Sequence, residues 1–235
     1  MTKPSDDSRP KRPGLHSKWK DVVDSLEAII PIYEKGSSRI SLFSDHAMRS
    51  EVASFALNDG KGALVLDLGA GPGTLSRVIA RAGGVPVLAD ASRKMLASAP
   101  PFERVQCVFE SLPFRSGTFG AAVAGFSLRD SRDLEDALTE IRRALAPRGR
   151  FGFCDLGKPV SKAKAGLVAA YIYVAAPLIG FASGGYAGLR FGSLYDTYKL
   201  VLDNVSLKQM LLHHFKEVDI TSKRMGGSIV VRCYV

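Results

Sequence analysis

Residues 65–76, VLDLGAGPGTLS, combine an apolar run, an aspartate and glycines at every second position. Glycines allow a tight turn and a close approach of backbone to ligand, so this pattern after a strand is typical of a small-molecule site. The dinucleotide fingerprint does not fit, because Thr74 stands where its third glycine belongs. A phosphate-binding P-loop does not fit either, because no Gly-Lys-Ser/Thr sequence follows the turn.

Carboxylates near the turn indicate what it binds. Asp67 precedes the glycines, where a carboxylate would oppose a pyrophosphate but suits a cationic ligand. Asp90 ends the second predicted strand, where it can accept both hydroxyls of a ribose. S-adenosylmethionine (SAM) has a cationic amino-acid end and an adenosine end and satisfies both. The predicted cofactor-binding residues are Asp67, Gly69, Ala70, Gly71, Gly73, Asp90, Ala91, Glu110, Ser111 and Gly125.

The elements that must position these residues alternate between strands and helices. The predicted strands are 62–69, 85–90, 105–111, 120–128, 150–157, 215–222 and 227–235, and the predicted helices 17–34, 74–83, 92–99, 131–145 and 206–214. Strands that are apolar on both faces favour a parallel sheet covered by helices on each side. The sequence therefore predicts an α/β fold, a doubly wound, seven-stranded, mostly parallel Rossmann-like sheet with an N-terminal helical cover.

At 235 residues the chain is expected to form one domain. Its predicted parts are a disordered basic tail (1–14), an N-terminal helical cover (15–60), a SAM-binding core (61–158), an apolar acceptor-binding lid (160–200) and a closing helix and strand pair (201–235).

Composition and cysteine spacing narrow the class of protein. The net charge is +9, but no basic-aromatic motif of a nucleic-acid binder is present, so no nucleic-acid partner is expected. No apolar core follows the basic start, so a secretory signal is not predicted and the expected location is cytoplasmic. Cys107, Cys154 and Cys233 lie far apart in apolar runs and are predicted to be buried and reduced, with no metal site.

Three stretches carry a family resemblance: FESLPFRSGTF at 109–119, FSLRDSRDLEDALTEIRRALAPRGRF at 126–151 and FCDLGKP at 153–159. They are similar to aE-x-LPF-x-d-x-x-F, FGLRN…d…aL-x-E-x-xRvLkPGG and lEFSkP of the ubiquinone/menaquinone biosynthesis C-methyltransferases, a family of class I methyltransferases. The tripeptide LRD at 128–130 discriminates best, because most class I methyltransferases have other residues after the fourth strand. The resemblance implies the class I methyltransferase fold and methylation of the ring of a polyprenyl quinol precursor.

Weaker similarity extends over nearly the whole chain. Tyr33, Ser41 and Arg49 fall at spacings similar to the family's N-terminal YD…N…S…G…H…WR signature. FGSLYDTY, SLKQMLLHHF and MGGSIVVRCYV resemble its YxYLxxS…LxxMxxxaGF…GivxlH region. The chain departs from the family, in ways that bear on substrate more than on reaction type, at Ser37, Phe43, Asp45 and Pro72.

Methyl transfer from a sulfonium needs no metal, and placing donor and acceptor in line supplies most of the catalysis. A ring carbon becomes nucleophilic when the neighbouring phenol loses its proton. Arg129 would stabilise the phenolate, and Asp130 would take the proton or orient a water, unless Asp130 merely caps the following helix. His46 is a further titratable catalytic candidate. The predicted acceptor-binding residues are Tyr33, Arg49, Asp155, Tyr186 and Tyr195.

Residues 165–189 carry no charge and are long enough for a transmembrane helix. Pro177 and the glycines that follow it argue against a span, as does the sheet that must continue afterwards. A buried helix followed by a loop, and a lid that binds a prenyl tail and rests on the membrane surface, are equally favoured alternatives.

The leading hypothesis is a SAM-dependent methyltransferase that C-methylates a prenylated, demethylmenaquinol-like precursor. The alternatives are a methyltransferase for another apolar small molecule or lipid, and a non-catalytic SAM-binding partner in quinone biosynthesis. The expected partner is an apolar acceptor; peripheral contact with the inner face of the cell membrane and a homodimer are left open.

Overall fold

The computed structural model describes residues 14–58, 60 and 62–235. The predicted disordered tail, 1–14, lies outside this part of the chain except for Gly14. From Leu15 onward the chain is packed, because Leu15 is buried and its N–H donates to the Ser131 carbonyl at 2.9 Å.

The strands form one seven-stranded sheet in the order β3-β2-β1-β4-β5-β7-β6. Their bounds are β1 Leu64–Leu68, β2 Val85–Asp90, β3 Glu103–Gln106, β4 Phe119–Gly125, β5 Leu145–Leu156, β6 Glu217–Lys223 and β7 Ser228–Tyr234. Strand β7 pairs antiparallel with β5 and β6, and the other pairs are parallel. The predicted doubly wound α/β fold is confirmed.

Helices cover both faces of the sheet. Their bounds are α1 Trp19–Ala28, α2 Tyr33–Ile40, α3 Asp45–Leu57, α4 Thr74–Arg81, α5 Arg93–Ser98, α6 Leu134–Ala144, α7 Lys162–Gly184, α8 Ser193–Leu200 and α9 Asn204–His214. Apolar residues of α3 and α4 pack with β1 and β4 on one face. Apolar residues of α6 and α9 pack against β5 and its phenylalanines on the other. The sheet is therefore buried on both sides, as its apolar strands require.

The N-terminal helices lie over the carboxyl ends of the strands. Ser92 Oγ, after β2, donates to Glu27 of α1 at 2.6 Å, and Thr74 Oγ1, at the start of α4, donates to Glu34 of α2 at 2.8 Å. These contacts fix the cover over the edge of the sheet at which open α/β folds bind their ligands.

Several predicted bounds differ from the structure. The first predicted helix is divided into α1 and α2 by a 3-10 turn, Ile30–Ile32, which contains Pro31. Strand β3 ends at Gln106 rather than at residue 111. Helix α7 continues through Pro177 to Gly184, and Gly185, at φ +63°, ends it. Cys154 and Cys233 are buried as predicted, whereas Cys107 is half-buried.

Candidate active site

The glycine turn between β1 and α4 forms one wall of a cavity at the strand ends. Gly69, Gly71 and Gly73 have φ of +61°, +54° and +75°, a region that side chains rarely adopt. A Cβ on Gly71 would meet no atom nearer than Met95 Sδ at 3.9 Å, so this position faces open space. Gly69 and Gly71 line the cavity, whereas Gly73 begins α4 and packs behind it.

Asp90 lies at the far side of this turn and lines the same cavity. Its two carboxylate oxygens accept the backbone N–H groups of Gly71 and Ser92, both at 2.8 Å. Burial raises the pKa of Asp90, and the two backbone hydrogen bonds oppose that rise. Each oxygen keeps a second lone-pair direction for a ligand hydroxyl, as ribose binding requires.

Asp67 is fully buried in β1 and does not line the cavity. Ser76 Oγ donates to its Oδ2 at 2.5 Å, while its Oδ1 accepts no hydrogen bond from the described residues. Burial raises the pKa of Asp67 to about 7. Asp67, predicted to bind the cofactor, therefore lies behind the cavity lining, and its carboxylate, when ionised, would favour a cationic ligand through space rather than by contact.

The wall that follows β3 differs from the prediction. Val108 and Phe109 line the cavity, and Glu110 and Ser111 do not. Because β3 ends early, the chain turns, and Glu110 instead accepts the N–H groups that follow Ser131, at 2.6 and 3.1 Å. Ser111 is exposed.

Of the other predicted cofactor residues, Ala91 lines the cavity. Ala70 is buried behind the turn, where its N–H donates to the Ala89 carbonyl at 3.1 Å. Gly125 faces away from this cavity, toward Arg49. The cover adds a wall that the sequence did not suggest, formed by Trp19, Val22, Val23 and Leu26 of α1.

A second cavity of about 480 Å³ adjoins the first. We call the first, beside the glycine turn, the cofactor cavity and the second the acceptor cavity. Leu26, Tyr33 and Phe126 line both cavities, so the two meet at these side chains. Apart from polar groups at this shared end and at its mouth, the second cavity is largely apolar. Its apolar lining includes Ile29, Ile40, Leu156, Leu167, Val168, Ile172, Phe191 and Leu194.

Arg129 stands in the lining of the second cavity, directly after β4. Its Nη1 donates to Asp155 Oδ1 at 2.5 Å and to the Phe126 carbonyl at 2.6 Å. Burial alone would lower the pKa of Arg129, but the carboxylates of Asp130 and Asp155 raise it. The site therefore holds a permanent buried cation where the two cavities meet.

Asp130 lines the first cavity, next to that cation. It does not cap α6, because Asp133 does so by accepting the N–H groups of Glu135 and Asp136. Asp130 Oδ1 accepts no hydrogen bond from the described residues and lies 3.6 Å from Arg129 Nε. Burial raises the pKa of Asp130 to about 6, and Arg129 opposes that rise. The carboxylate is thus available to take a proton near neutral pH.

Arg49 supplies a second cation to the acceptor cavity. It is 4% exposed, its Nη1 donates to the Gly125 carbonyl at 3.3 Å, and its guanidinium lies 5.0 Å from the centre of the Phe126 ring. Two arginines and a carboxylate therefore surround the junction of a cofactor cavity and an apolar cavity.

Comparison with known proteins agrees with this arrangement. Residues 66–153 match the family described as a methyltransferase domain. A demethylmenaquinone methyltransferase of Mycobacterium marinum is 33% identical over 172 residues, 72% of this chain and 73% of that protein. The ubiquinone/menaquinone biosynthesis C-methyltransferase UbiE of Blochmanniella pennsylvanica is 27% identical and covers 94% of each chain. The chain belongs to the ubiquinone/menaquinone biosynthesis C-methyltransferase family.

Solved structures show the same fold. The plantazolicin methyltransferase BpumL, in complex with a substrate analogue and S-adenosylhomocysteine, has a TM-score of 0.62 at 12% identity and covers 93% of this chain and 98% of that one. A SAM-dependent methyltransferase of Thermotoga maritima has a TM-score of 0.59 at 15% identity, covering 91% and 99%. The chain is a SAM-dependent methyltransferase.

The methyltransferase does not bring all its predicted catalytic and acceptor residues together. His46 is exposed on α3 and lines neither cavity, because Asp45 and Arg49, four residues apart, form the inward face. Tyr186 is 84% exposed. Tyr195 also lies outside the cavity lining and packs against Tyr173, with 4.9 Å between ring centres.

Asp155 lines neither of these two cavities and instead holds Arg129 in place. Tyr33 and Arg49 do line the acceptor cavity. Tyr171 and Met225 also line the acceptor cavity and were not among the predicted acceptor-binding residues. Leu167, Val168, Tyr171 and Ile172, at helical spacing in the uncharged segment, were a signal for the face of α7 that lines this cavity.

Proposed function

We propose that this methyltransferase C-methylates the ring of a prenylated, demethylmenaquinol-like quinol. The observation that carries the proposal is the apolar cavity of about 480 Å³ that opens into the cofactor cavity beside Arg129 and Asp130. A quinol ring with a prenyl chain has matching chemistry, since its hydroxyls need polar partners and its chain needs an apolar channel. The names of the curated relatives support the same acceptor class.

The polar end of the acceptor cavity suits an ionised phenol. Arg129 and Arg49 line the cavity, and their positive charges would lower the pKa of a phenol placed there by favouring the phenolate. Tyr33 lines both cavities and can orient a ring hydroxyl.

Bound SAM supplies an electrophilic methyl group on its sulfonium. Asp130, ionised above its pKa of about 6, takes the proton of the acceptor's hydroxyl, and the electron pair of that O–H bond increases the nucleophilicity of the ring carbon. Arg129 stabilises the resulting negative charge. The apolar walls exclude bulk water from the reacting carbon. The proton on the methylated carbon passes to the ring oxygen, which restores the aromatic hydroxyl, and Asp130 releases the proton it took to solvent when the product leaves.

A prenylated acceptor partitions into lipid, so peripheral contact with the inner face of the cell membrane is part of the proposal. The N-terminal helices serve as the cover of the cofactor cavity, and residues 160–200 serve as the lid of the acceptor cavity. This division is supported by the lining that α1 contributes to the first cavity and α7 to the second.

The test is a panel of acceptors given with methyl-labelled SAM: a reduced prenylated naphthoquinol, its unprenylated analogue, a sterol and a lipid amine. We expect label on a ring carbon of the quinols and none in the others. Val168 lines the apolar part of the cavity. Val168→Trp should lower kcat/KM for the prenylated quinol by about tenfold and leave the unprenylated one unchanged, because it fills space used by the chain.

Val205→Trp is the matched control, because Val205 is 54% exposed on α9 and lines neither cavity. Label in the sterol or lipid amine but not in either quinol would replace the quinol with another apolar acceptor. Equal losses for both quinols in Val168→Trp would contradict the placement of the chain.

A further inference from the structure

Helix α7 is apolar on both of its faces. The inner face is buried at Ile172, Ala176, Gly180 and Ser183. The outer face exposes a run of large apolar side chains, Leu167, Tyr173, Val174, Leu178 and Phe181, which are 46% to 63% exposed. A helix that is apolar all round is normally enclosed by protein or lipid, so the outer face lacks its partner.

The helix is fastened to the domain along its length. Tyr171 Oη donates to the Ile40 carbonyl of α2 at 2.8 Å, and Arg39 Nη1 donates to Ser183 Oγ at 3.2 Å. A Cβ on Gly180 would collide with the Gly188 carbonyl, so helix and following turn are in close backbone contact. By length and composition the stretch 162–200 contains a segment that could cross a membrane, with a mean hydropathy of 1.9 over an 18-residue window. These attachments instead lay α7 along the protein surface, with one face outward.

The charges within the segment that carries this face have one sign, and Asp196, which follows it, is paired with Lys199 at 2.8 Å. Residues 156–195 contain no aspartate or glutamate, and their charged residues are Lys158, Lys162, Lys164 and Arg190. A lysine near an anionic membrane surface contributes about 1 kcal/mol of attraction. An apolar helix face flanked by cations is complementary to an anionic lipid surface rather than to water.

The outer face is continuous with the mouth of the acceptor cavity. Leu42, Leu167 and Met225 line that cavity and are 49%, 61% and 64% exposed. Arg224, also in the lining, donates from Nη2 to the Leu42 carbonyl at 3.2 Å and places a further cation at the mouth. Leu167 thus belongs both to the cavity and to the exposed face of α7.

We propose that the outer face of α7 and this mouth form a docking surface for an anionic bilayer. The acceptor's apolar chain then passes from lipid into the cavity beside Leu167 without crossing water. The route of the acceptor rests on the proposed function, whereas the docking of the protein on lipid does not.

The test is flotation of the full chain with vesicles of phosphatidylcholine that contain about 30 mol% phosphatidylglycerol. We expect binding of the wild type that weakens with added salt. Val174→Glu/Leu178→Glu should lower the partition coefficient by about tenfold or more, because two apolar contacts become charged. Val205→Glu/Leu212→Glu, at two apolar side chains of α9 that are 54% and 46% exposed, adds the same charge and is the matched control, which should bind as wild type does.

The contribution of charge is tested with Lys162→Gln/Lys164→Gln, for which we expect about a tenfold loss or more. The control is Lys208→Gln/Lys216→Gln, which removes the same charge from exposed positions outside the α7 segment. Wild-type protein that stays unbound, or test variants that bind as well as their controls, would overturn the docking surface. Conversion of a dimer to a monomer by Val174→Glu/Leu178→Glu, with flotation unchanged, would assign the face to a second copy instead.

Turnover measurements distinguish a failure of the docking surface from a failure of the proposed function. With an unprenylated, water-soluble quinol, Val174→Glu/Leu178→Glu should turn over as wild type does, because both side chains lie on the outer face of α7 and line neither cavity. With a prenylated quinol in vesicles it should be slower by the factor that its binding has lost. If wild type floats with the vesicles but methylates no quinol, the proposed acceptor fails and the docking surface stands.

Discussion

The Nη1 atom of Arg129 lies 2.5 Å from Oδ1 of Asp155, and the backbone N–H of Arg129 donates to the other carboxylate oxygen at 3.2 Å. The side chains are 7% and 5% exposed. The carboxyl end of β5 thereby fixes a guanidinium that follows β4 at the junction of the two cavities. Asp155 is a positioning residue that acts through Arg129.

Removing one charge of this pair should lower the free energy of unfolding more than removing both charges does. Asp155→Asn leaves the buried guanidinium with Asp130 as its remaining carboxylate neighbour, without the hydrogen-bonded one, and should lower the free energy of unfolding by about 3 kcal/mol. Arg129→Gln/Asp155→Asn removes both charges and should recover part of that loss, although not the activity. Urea unfolding of the single and double variants measures the coupling. A double variant as unstable as the sum of the single variants would show that the two side chains do not interact.

Asp130 should set the acid limb of the pH profile. As a base it must be ionised, so kcat/KM should rise with pH through about 6 and level off above it. Asp130→Asn should lower kcat by about a hundredfold and abolish this limb, because an amide can orient a water but cannot take a proton. The family motif FGLRN has Asn where this chain has Asp130. The variant therefore separates the role of a base from that of a side chain that orients a water.

Asp133→Asn is the control, since Asp133 caps α6. We expect it to leave the limb near pH 6 in place. An Asp130→Asn enzyme with wild-type rate and profile would reduce Asp130 to an orienting side chain.

Two glycine substitutions should distinguish the effect of backbone strain from the effect of lost ligand contact. Gly71→Ala and Gly62→Ala both place a Cβ at positive φ, +54° and +79°, and neither Cβ meets an atom within 3.8 Å. Each substitution should destabilise the fold by about 1 kcal/mol. Only Gly71→Ala should also weaken SAM binding, by about tenfold, because Gly71 lines the cavity. Calorimetric titration with SAM measures this, and equal affinities in the two variants would move the cofactor away from the turn.

Asp67 should make the ligand-free protein less stable as the pH rises. Its pKa is raised from 3.8 to about 7 on folding, so between about pH 4 and pH 7 the folded state binds more protons than the unfolded state. Its stabilising contribution is therefore full below about pH 4 and is lost as pH rises through 7. The shift corresponds to about 4 kcal/mol.

Asp67→Asn removes this titration, so the difference in unfolding free energy between variant and wild type should grow in favour of the variant from pH 4.5 to 7.5. Asp130, whose pKa is also raised, contributes equally to both proteins and cancels in the difference, whereas the charge of Asp90 is one cause of the raised pKa of Asp67 and belongs to the effect measured. Parallel stability curves for the two proteins would show that Asp67 titrates normally in the folded state.

The sheet and the cofactor turn could be predicted because they are local patterns. A short apolar run such as 85–90 predicts a strand without knowledge of tertiary contacts. The glycine turn is likewise predicted from its own residues and from the strand before it. Glu110 was misplaced because β3 ends at Gln106, and a change of a few residues in a strand end reverses which side chains face the cavity.

The acceptor cavity could be predicted only in part, because it is assembled from segments far apart in the sequence. Tyr33 and Arg49 were predicted and do line it, whereas Tyr171 and Met225 meet them only through tertiary packing. His46 was favoured for its chemistry, but it lies one position beyond Asp45, about 100° around α3, and so points to solvent. Residue type alone does not give the inward face of a helix that has apolar residues on several sides.

The central claim, ring methylation at the junction beside Arg129, is tested most directly by transfer of a labelled methyl group from SAM to a reduced prenylated naphthoquinol in detergent. We predict label on a ring carbon with the wild type. With Arg129→Gln the rate should be lower by about a hundredfold while SAM still binds, because the phenolate loses its counter-charge. SAM binding without label in the quinol, label on a hydroxyl oxygen, or an Arg129→Gln enzyme as fast as wild type would contradict the account.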